Sequence, residues 1–338
     1  MKKTVVVTGT AGFVGAHVAR AFAVQGYRVI ANDIAVSLPE HVMRGVVSPD
    51  VEYVAGDLRS DATFDALVAA AGPSAIVVHV AALIRFAELG TALGEAAPVM
   101  ADAVEVFEIN SMATWRLVSK FYTAGSLSRF VYVSTRSVFG ALEVDDDVIA
   151  ESSPQRPIGI YGSSKAAAEI GVLALRDVFS LDLVVARITG VFGPWQGPVS
   201  WIGKAIDGVT SGEGYHASAG ANDRYELTYI KDTVKGIVDV AVAEQLAFSI
   251  YHVSSSTMHS LDEVAEAFRA DDPDADVDFG TSGVAGMRRR LPLGNDRIAT
   301  ELGFSSTWDL QSAIGDYLLT ERTGSYGVEV SPSRGAAS

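Results

Sequence analysis

The chain of 338 residues contains no cysteine. Disulfides, thiolate metal ligands and a cysteine nucleophile are therefore excluded. Its six histidines show neither H-x-H nor H-E-x-x-H spacing, so no metal site is predicted. The longest apolar run, residues 75–84, is too short to cross a bilayer, and no signal-peptide pattern precedes the first predicted strand. We expect a soluble, cytoplasmic protein without a membrane partner.

Basic residues are in the minority: 26 Lys and Arg stand against 41 Asp and Glu, a formal net charge of −15. Binding to a phosphate backbone depends on basic charge, so a nucleic-acid partner is not expected. One basic cluster, residues 288–290, is either a solvated or ion-paired patch or a ligand contact. About half of the residues, 49%, are apolar, and at this length an ordered protein with ample core is predicted.

The N-terminus carries the pattern of a dinucleotide-binding loop. Residues 3–15 read K-T-V-V-V-T-G-T-A-G-F-V-G, an apolar strand followed at once by glycines and then by helical periodicity. Gly9 permits a tight turn, Gly12 lets the backbone approach a pyrophosphate, and Gly15 lets the helix pack against the strand. Asp33 ends the second predicted strand, where a carboxylate holds the adenosine ribose and repels a 2′-phosphate. The pattern predicts NAD rather than NADP.

A second pattern, Y-G-S-S-K at residues 161–165, opens an alanine-rich helical run. Tyr161 and Lys165 are four residues apart and so share a helix face. A phenol titrates near about 10, and an adjacent ammonium favours the phenolate, so the pair can supply a general base. Taken alone, the pattern is far more often a tyrosine in a first helical turn and a solvated lysine than a general base; the dinucleotide loop in the same chain favours the base.

Short apolar runs alternate with helical stretches in the first half of the chain. The predicted strands are residues 3–8, 28–32, 51–55, 75–79, 130–134 and 182–187. This alternation predicts an α/β fold with a doubly wound parallel (Rossmann) sheet, whose ligands bind at the carboxyl ends of the strands.

The alternation loosens after residue 187, where a smaller C-terminal substrate domain is predicted to begin. Strands at residues 225–230 and 249–254 are expected to return to the sheet. The predicted division is an NAD-binding domain over residues 1–187 plus about 225–254, a substrate domain over about 188–224 plus 255–322, and a flexible tail over 323–338.

Several separate motifs together resemble the extended short-chain dehydrogenase/reductase family, in its NAD-dependent epimerase/dehydratase group. They are T-G-T-A-G-F-V-G at residues 8–15, G-D-L at 56–58, H-V-A-A at 79–82, Asn110, V-Y-V-S-T-R-S-V-F-G at 131–140, Y-G-S-S-K at 161–165 and A-R-I-T-G-V-F-G-P at 186–194. The resemblance implies hydride transfer to or from NAD with a Ser/Thr, Tyr and Lys set.

The resemblance also assigns individual residues. The implied catalytic residues are Thr135, Tyr161, Lys165 and Asn110. The implied cofactor contacts are Gly9, Ala11, Gly12, Phe13, Val14, Gly15, Asp33, Asp57, Leu58, Ala81, Ala82, Asn110, Ser134, Tyr161, Lys165 and Ile188. Ser134 and Ser137 remain alternatives to Thr135. Asp57 is expected at the adenine, a role compatible with a helix N-cap, and Asn110 belongs to a proton relay or kinks its helix.

The implied mechanism uses Tyr161 as the base for a substrate hydroxyl while hydride passes to NAD. The pKa of Tyr161 is expected to be lowered by Lys165 and by the cationic nicotinamide ring. Thr135 would hold the reacting oxygen, and Lys165 would also hold the nicotinamide ribose.

The substrate half departs from the nucleotide-sugar pattern of this family. Gly190 stands where such members usually carry an Asn, and Tyr225 stands where they carry an arginine; a third arginine could come from residues 288–290. Loss of these partners weakens a diphosphate site, so a smaller, non-nucleotide substrate is expected. The predicted substrate contacts are Ile84, Arg85, Thr135, Arg136, Gly190, Tyr225 and Arg289. Residues 84–103 either cover the substrate or form a surface excursion.

The sequence therefore predicts an NAD-dependent oxidoreductase that oxidises a secondary hydroxyl of a small sugar-derived or polyol-like molecule, or reduces the matching carbonyl. The alternatives are a nucleotide-sugar 4-epimerase that retains NAD and a catalytically silent nucleotide-binding protein. The helices predicted at residues 104–123 and 163–179 are apolar on more than one face. In the resembling family these two helices form the four-helix bundle of a homodimer, which is the expected assembly.

Overall fold

The computed structural model describes residues 2–37, 51–84, 100–140, 147–197, 200–217, 220, 223–280, 291–324 and 326. The strands in this part of the chain are β1 (Thr4–Thr8), β2 (Arg28–Asp33), β3 (Val51–Ala55), β4 (Ala75–His79), β5 (Leu127–Thr135), β6 (Leu183–Ile188), β7 (Gly190–Phe192), β8 (Tyr215–Ala217), β9 (Arg224–Tyr229), β10 (Ile250–Val253), β11 (Met258–Ser260) and β12 (Val277–Phe279).

The helices flank these strands. They are α1 (Phe13–Val24), α2 (Asp61–Ala71), α3 (Met100–Phe107), α4 (Ala113–Thr123), α5 (Ile160–Phe179), α6 (Trp201–Ser211), α7 (Ile230–Val242), α8 (Leu261–Asp271), α9 (Asp296–Leu302) and α10 (Leu310–Thr323). A π-helical turn (Glu108–Met112) joins α3 to α4, and a 3₁₀ turn (Arg136–Phe139) follows β5.

Within the described residues, seven parallel strands form the main sheet in the order β10-β6-β5-β4-β1-β2-β3. Successive side chains of a strand point to opposite faces. Val5 and Val7 accordingly join the core with α1 and α7, whereas Val6 joins the core with α2 and α4. The predicted α/β fold with a doubly wound sheet is confirmed. The order reverses between β1 and β4, which is where such sheets bind ligands.

One predicted strand lies in a different sheet. Residues 225–230 were expected to return to the main sheet, but β9 pairs with β7 in parallel and with β11 antiparallel. The physical reason is that β10 already occupies the edge of β6, which leaves β9 no partner there. Strands β8 and β12 form a further two-stranded pair. The division into two domains remains a prediction.

The start of the expected tail is packed. Thr323 is the last residue of α10, and the ring of Tyr326 lies 4.7 Å from that of Trp195 and 4.9 Å from that of His17 between centroids. Residues 325 and 327–338 lie outside the described part of the chain. Among the residues that the structure describes, no helix is both long and apolar enough to cross a bilayer.

Candidate active site

A cleft of about 500 Å³ opens at the carboxyl ends of β1, β2 and β4. Fifteen of the residues predicted for the site line it: Gly9, Gly12, Phe13, Val14, Gly15, Asp33, Asp57, Leu58, Ala81, Ala82, Ile84, Ser134, Tyr161, Lys165 and Ile188. The cleft therefore brings the glycine loop and the Tyr–Lys pair to one site.

The glycine loop forms one wall, and its close packing requires glycine. Gly9 has φ of +77°, and a Cβ there would lie 2.7 Å from the Ala81 backbone nitrogen. A Cβ on Gly15 would lie 2.0 Å from the Gly9 carbonyl oxygen. The loop can turn sharply and meet α1 closely only without these side chains, so the backbone is left open towards the cleft.

The carboxylate of Asp33 holds the backbone around the end of β2. Its Oδ2 accepts a hydrogen bond from Ala11 N at 3.0 Å, and its Oδ1 accepts one from Ala35 N at 3.2 Å. Ala11, a predicted cofactor contact, does not itself line the cleft; its backbone N–H holds the carboxylate of Asp33, which does. The neighbouring Asn32 is buried and donates to the Val54 and Gly56 carbonyls at 2.9 and 3.2 Å.

A charged group lines the same end of the cleft. Arg59 lies 2.6 Å from a carboxylate oxygen of Asp57 and 3.1 Å from one of Glu105. Asp57 does not cap α2, whose N-cap residue is Ser60. Because two carboxylates neutralise Arg59, this guanidinium is poorly placed to accept a 2′-phosphate.

Tyr161 lies in the first turn of α5, and Thr135 is the last residue of β5. The Thr135 hydroxyl lies close enough to Tyr161 to lower the pKa of its phenol, and Thr135 Oγ1 donates to Ser137 Oγ at 3.4 Å. Thr135 Oγ1 also accepts a hydrogen bond from Ser137 N at 3.2 Å, which fixes the turn after β5. The buried Lys165 donates from Nζ to the Val133 carbonyl at 2.7 Å, and Nζ lies 4.2 Å from the centre of the Tyr132 ring.

The chain's own groups shift both pKa values towards the neutral forms. Burial raises the pKa of Tyr161 to about 12, although the nearby hydroxyl of Thr135 opposes this shift. Burial lowers the pKa of Lys165 to about 7, and the negative charge of Glu169 opposes this. The sequence predicts a lowered pKa for Tyr161, and for the protein's own groups this prediction is wrong. Burial is the largest effect on Tyr161, and it raises the pKa.

Asn110 lies in the π-helical turn Glu108–Met112 and is buried. Its amide is fully engaged: Oδ1 accepts from Leu83 N at 2.8 Å, and Nδ2 donates to the Leu83 carbonyl and to Ser164 Oγ, both at 3.0 Å. Asn110 connects the loop after β4 to α5 and does not line the cleft.

Of the other predicted substrate contacts, the described ones are Thr135, Arg136, Gly190 and Tyr225, and they do not line this cleft. Arg136 is largely buried, donates to the Leu291 carbonyl at 2.8 Å and lies 3.8 Å from Glu226. Gly190 begins β7, where a Cβ would lie 2.6 Å from the Glu226 carbonyl oxygen. The Tyr225 ring packs 5.5 Å from the Trp201 ring. Arg85 and Arg289 lie outside the described residues, as do residues 85–99 of the predicted insertion.

Sequence reasoning missed part of the lining. The additional residues are Asn32, Ile34, Gly56, Arg59, Val80, Leu83, Glu105, Ile109 and Val133. Some carried a usable signal, because Asn32, Gly56 and Val80 are direct neighbours of predicted residues at strand ends. Glu105 and Ile109 carried none, since only the packing of α3 and the π-helical turn brings them to the cleft.

Two residues that line the cleft carry unpartnered polar atoms, which suits a polar ligand such as a dinucleotide. Among the described residues, neither the hydroxyl of Ser134 nor Oδ1 of Asn32 has a hydrogen-bond partner, although both atoms are buried. Both residues line the cleft. A buried polar atom without a partner is costly, so these two sites favour a polar ligand over an apolar one.

The family model described as "NAD dependent epimerase/dehydratase family" matches residues 5–253. The chain belongs to this family. Its members are NAD-dependent enzymes, which confirms the predicted class of enzyme and its cofactor.

Among relatives in the NAD-dependent epimerase/dehydratase family, the dTDP-glucose 4,6-dehydratase of Streptomyces niveus is 27% identical over 89% of this chain and 87% of its own. The dTDP-D-glucose 4,6-dehydratase of Mus musculus is 29% identical over 78% and 71%. The fold matches a UDP-glucose 4-epimerase of Thermotoga maritima with a TM-score of 0.81, at 18% identity over 95% of this chain and 99% of the other.

Proposed function

We propose that this protein is an NAD-dependent oxidoreductase that oxidises a secondary hydroxyl, or reduces the matching carbonyl, through Thr135, Tyr161 and Lys165. One observation carries the proposal. The cleft that holds the glycine loop and Asp33 also contains Tyr161 and Lys165, and the Thr135 hydroxyl lies close enough to lower the pKa of Tyr161. A general base and a dinucleotide site in a single cleft are the two requirements of hydride transfer from an alcohol.

Each residue has a distinct task in this proposal. Tyr161 takes the proton from the substrate hydroxyl. Thr135 hydrogen-bonds the oxygen of that hydroxyl and so orients it. Lys165, held by the Val133 carbonyl one helical turn after Tyr161, supplies positive charge in its protonated form and holds the nicotinamide ribose. When bound, NAD supplies the hydride acceptor and a cationic ring that favours the phenolate. The unpartnered hydroxyl of Ser134 is assigned to the cofactor rather than to the base.

Asp33 is proposed to select NAD. Asp33→Ala is expected to weaken NAD binding by about 10- to 100-fold, the range of a lost charge-assisted hydrogen bond, and to affect NADP less. Asp33→Asn is the matched control, because it keeps an acceptor for the backbone of Ala11 while removing the charge. Calorimetric titration with NAD and NADP measures both affinities. Equal weakening of the two cofactors by Asp33→Ala would contradict this role.

A small, non-nucleotide substrate is proposed because diphosphate partners are few among the described residues. Gly190 has no side chain and no room for one. The Arg224 guanidinium is engaged elsewhere, since it donates to the Met258 carbonyl at 2.6 Å. The Tyr225 ring packs against Trp201. A sugar-derived molecule without a nucleotide needs none of these contacts.

A nucleotide-sugar 4-epimerase remains the second candidate, because the relatives act on dTDP- and UDP-sugars by name. Dehydration is less well supported. Elimination of water needs an acid and a base besides the hydride acceptor. Among the described residues that line the cleft, the carboxylates are Asp33, which accepts from the backbone of Ala11 and Ala35, and Asp57 and Glu105, which are paired with Arg59.

Absorbance at the NADH wavelength separates the candidates. The purified protein is offered excess NAD with a panel of free sugars, aldonates, polyols and nucleotide sugars. A rise with one non-nucleotide compound is expected. A silent panel in which product analysis reveals an inverted nucleotide sugar would replace the dehydrogenase with the epimerase. A 4-keto-6-deoxy product would establish the dehydratase instead.

A homodimer through α4 and α5 is also proposed. Apolar side chains on these helices face solvent: Ile170 is 64% exposed, Val178 is 73% exposed and Tyr122 is 46% exposed. Large apolar side chains exposed on two neighbouring helices are typical of an interface. Sedimentation velocity is expected to give a dimer that Ile170→Asp converts to a monomer. A monomeric parent protein would contradict this assembly.

A further inference from the structure

His79 is a buried, titratable residue that the proposed reaction does not use. It ends β4, and its ring is completely shielded from solvent. Nδ1 lies 2.7 Å from Thr8 Oγ1, and Nε2 lies 2.9 Å from Thr114 Oγ1. Both threonines are also fully buried. The imidazole therefore bridges the end of β1, directly before the glycine loop, to α4.

The neighbouring bonds fix the direction of each hydrogen bond to this ring. Thr114 Oγ1 donates its single proton to the Asn110 carbonyl at 2.8 Å, so it can only accept from His79 Nε2. Thr8 Oγ1 accepts from Ala81 N at 3.3 Å, which leaves its proton for His79 Nδ1. The network is satisfied throughout only by a neutral ring protonated at Nε2. Burial agrees, because it lowers the pKa of His79 to about 3.

The chain of bonds continues to the proposed catalytic residue. Asn110 Nδ2 donates to Ser164 Oγ at 3.0 Å, and Ser164 Oγ donates to the backbone carbonyl of Tyr161 at 2.8 Å. Asn110 also holds both backbone groups of Leu83, which lines the cleft. A directed network thus joins the cofactor-lining backbone to the first turn of α5.

We propose that His79 is a positioning residue that, through Thr114 and Asn110, sets Tyr161 relative to the cofactor-lining loop after β4. This inference rests on the proposed role of Tyr161. The physical basis is that each member can make its bonds only in one arrangement, so the loop and the helix cannot shift independently without stranding a buried polar group. Misplacing a reacting group by about 1 Å can lower a rate by about 100-fold.

The ring itself provides the first test. Long-range ¹H–¹⁵N spectra of the ¹⁵N-histidine-labelled protein are expected to show the Nε2-protonated tautomer of His79 from about pH 5 to about pH 8, with no titration. The other tautomer, or protonation of both nitrogens within that range, would overturn the network and with it the proposal.

Thr114 provides the second test, because it offers a matched pair of substitutions. Thr114→Val keeps the volume and removes the hydroxyl, whereas Thr114→Ser keeps the hydroxyl. Thr114→Val is expected to speed amide hydrogen exchange in the first turn of α5 and to lower kcat by about 10- to 100-fold, measured with the panel compound that gives the largest signal. Thr114→Ser should restore both. The Kd for NAD, measured by calorimetry, should stay within about threefold in each variant.

Other outcomes would contradict the positioning role. Equal exchange in the two variants would mean that the hydroxyl link does not hold α5. A weakened Kd for NAD with unchanged kcat would place the effect of the link on the cofactor alone. Tyr161→Phe separates this inference from the proposed function. If Tyr161→Phe retains full turnover, the proposed function fails; if it is inactive while Thr114→Val retains the parent kcat, only the positioning role fails.

Discussion

Tyr161→Phe is expected to lower kcat by at least about 100-fold, the scale of a lost general base, and to leave the Kd for NAD nearly unchanged. The substitution removes only the hydroxyl, so the ring still fills its place in the first turn of α5. The pKa of about 12 that burial gives Tyr161 means that the base functions only in a site that favours its charged form. Single-turnover reduction of NAD and calorimetric titration measure the two quantities.

Thr135 supplies a matched control for this experiment. Thr135→Ser keeps a hydroxyl beside Tyr161 and should retain most of the activity, whereas Thr135→Val removes that hydroxyl and should lower kcat, as Tyr161→Phe does. Tyr161 and Thr135 are proposed to act on the same substrate hydroxyl. The kcat of the double variant Tyr161→Phe with Thr135→Val is therefore expected to be little lower than that of Tyr161→Phe alone. Full turnover by Tyr161→Phe would show that another group is the base.

Glu169→Ala is expected to lower the free energy of unfolding by about 3–5 kcal/mol, the cost of leaving a buried charge without its partner. Glu169 lies on α5 one turn after Lys165, and it is completely buried. Both its oxygens accept from Arg187 Nε at 3.1 Å, and Oε2 also accepts from Nη2 at 2.7 Å. Another hydrogen bond of Arg187 goes to an uncharged group, since Nη1 donates to the backbone carbonyl of Glu151 at 3.0 Å. Glu169 is therefore the carboxylate that balances its charge.

Urea denaturation of the Glu169 variants measures this loss. Glu169→Gln retains an acceptor of similar shape and should cost less than Glu169→Ala. A double variant, Glu169→Leu with Arg187→Met, removes both charges and should recover much of the stability, since well-packed apolar residues often replace a buried ion pair without loss. A change below about 1 kcal/mol for Glu169→Ala would show that water reaches Arg187 and that the pair contributes little.

The sequence predicted the parts of the site that depend on local order. A strand, a glycine loop and a helix follow one another directly, so Gly9, Gly12 and Gly15 could be assigned before any packing was known. Asp33 was assigned from the dinucleotide fingerprint and Ser134 from the family resemblance, and both fall at the ends of parallel strands, which meet at one edge of a sheet. Tyr161 and Lys165 were found because a helix fixes their spacing.

Other features depend on contacts that no local pattern contains. β9 has a strand-like sequence, but in the folded protein the edge of β6 pairs with β10, and β9 pairs with β7 and β11 instead. Glu105 reaches the cleft because α3 packs beside it. The pKa of Tyr161 was misjudged because the spacing of Tyr161 and Lys165 is local, whereas the burial that dominates comes from the whole fold.

The place of β10 at the edge of the main sheet has a consequence for biosynthesis. During translation, β6 (Leu183–Ile188) leaves the ribosome well before Ile250–Val253, the strand that pairs with it. An apolar strand with an open edge invites pairing with other chains. A nascent chain halted before Ile250 is therefore expected to sediment with aggregates, whereas one extended past Val253 should remain in the supernatant. The segment between β6 and β10 thus sets how long the emerging sheet needs protection by chaperones.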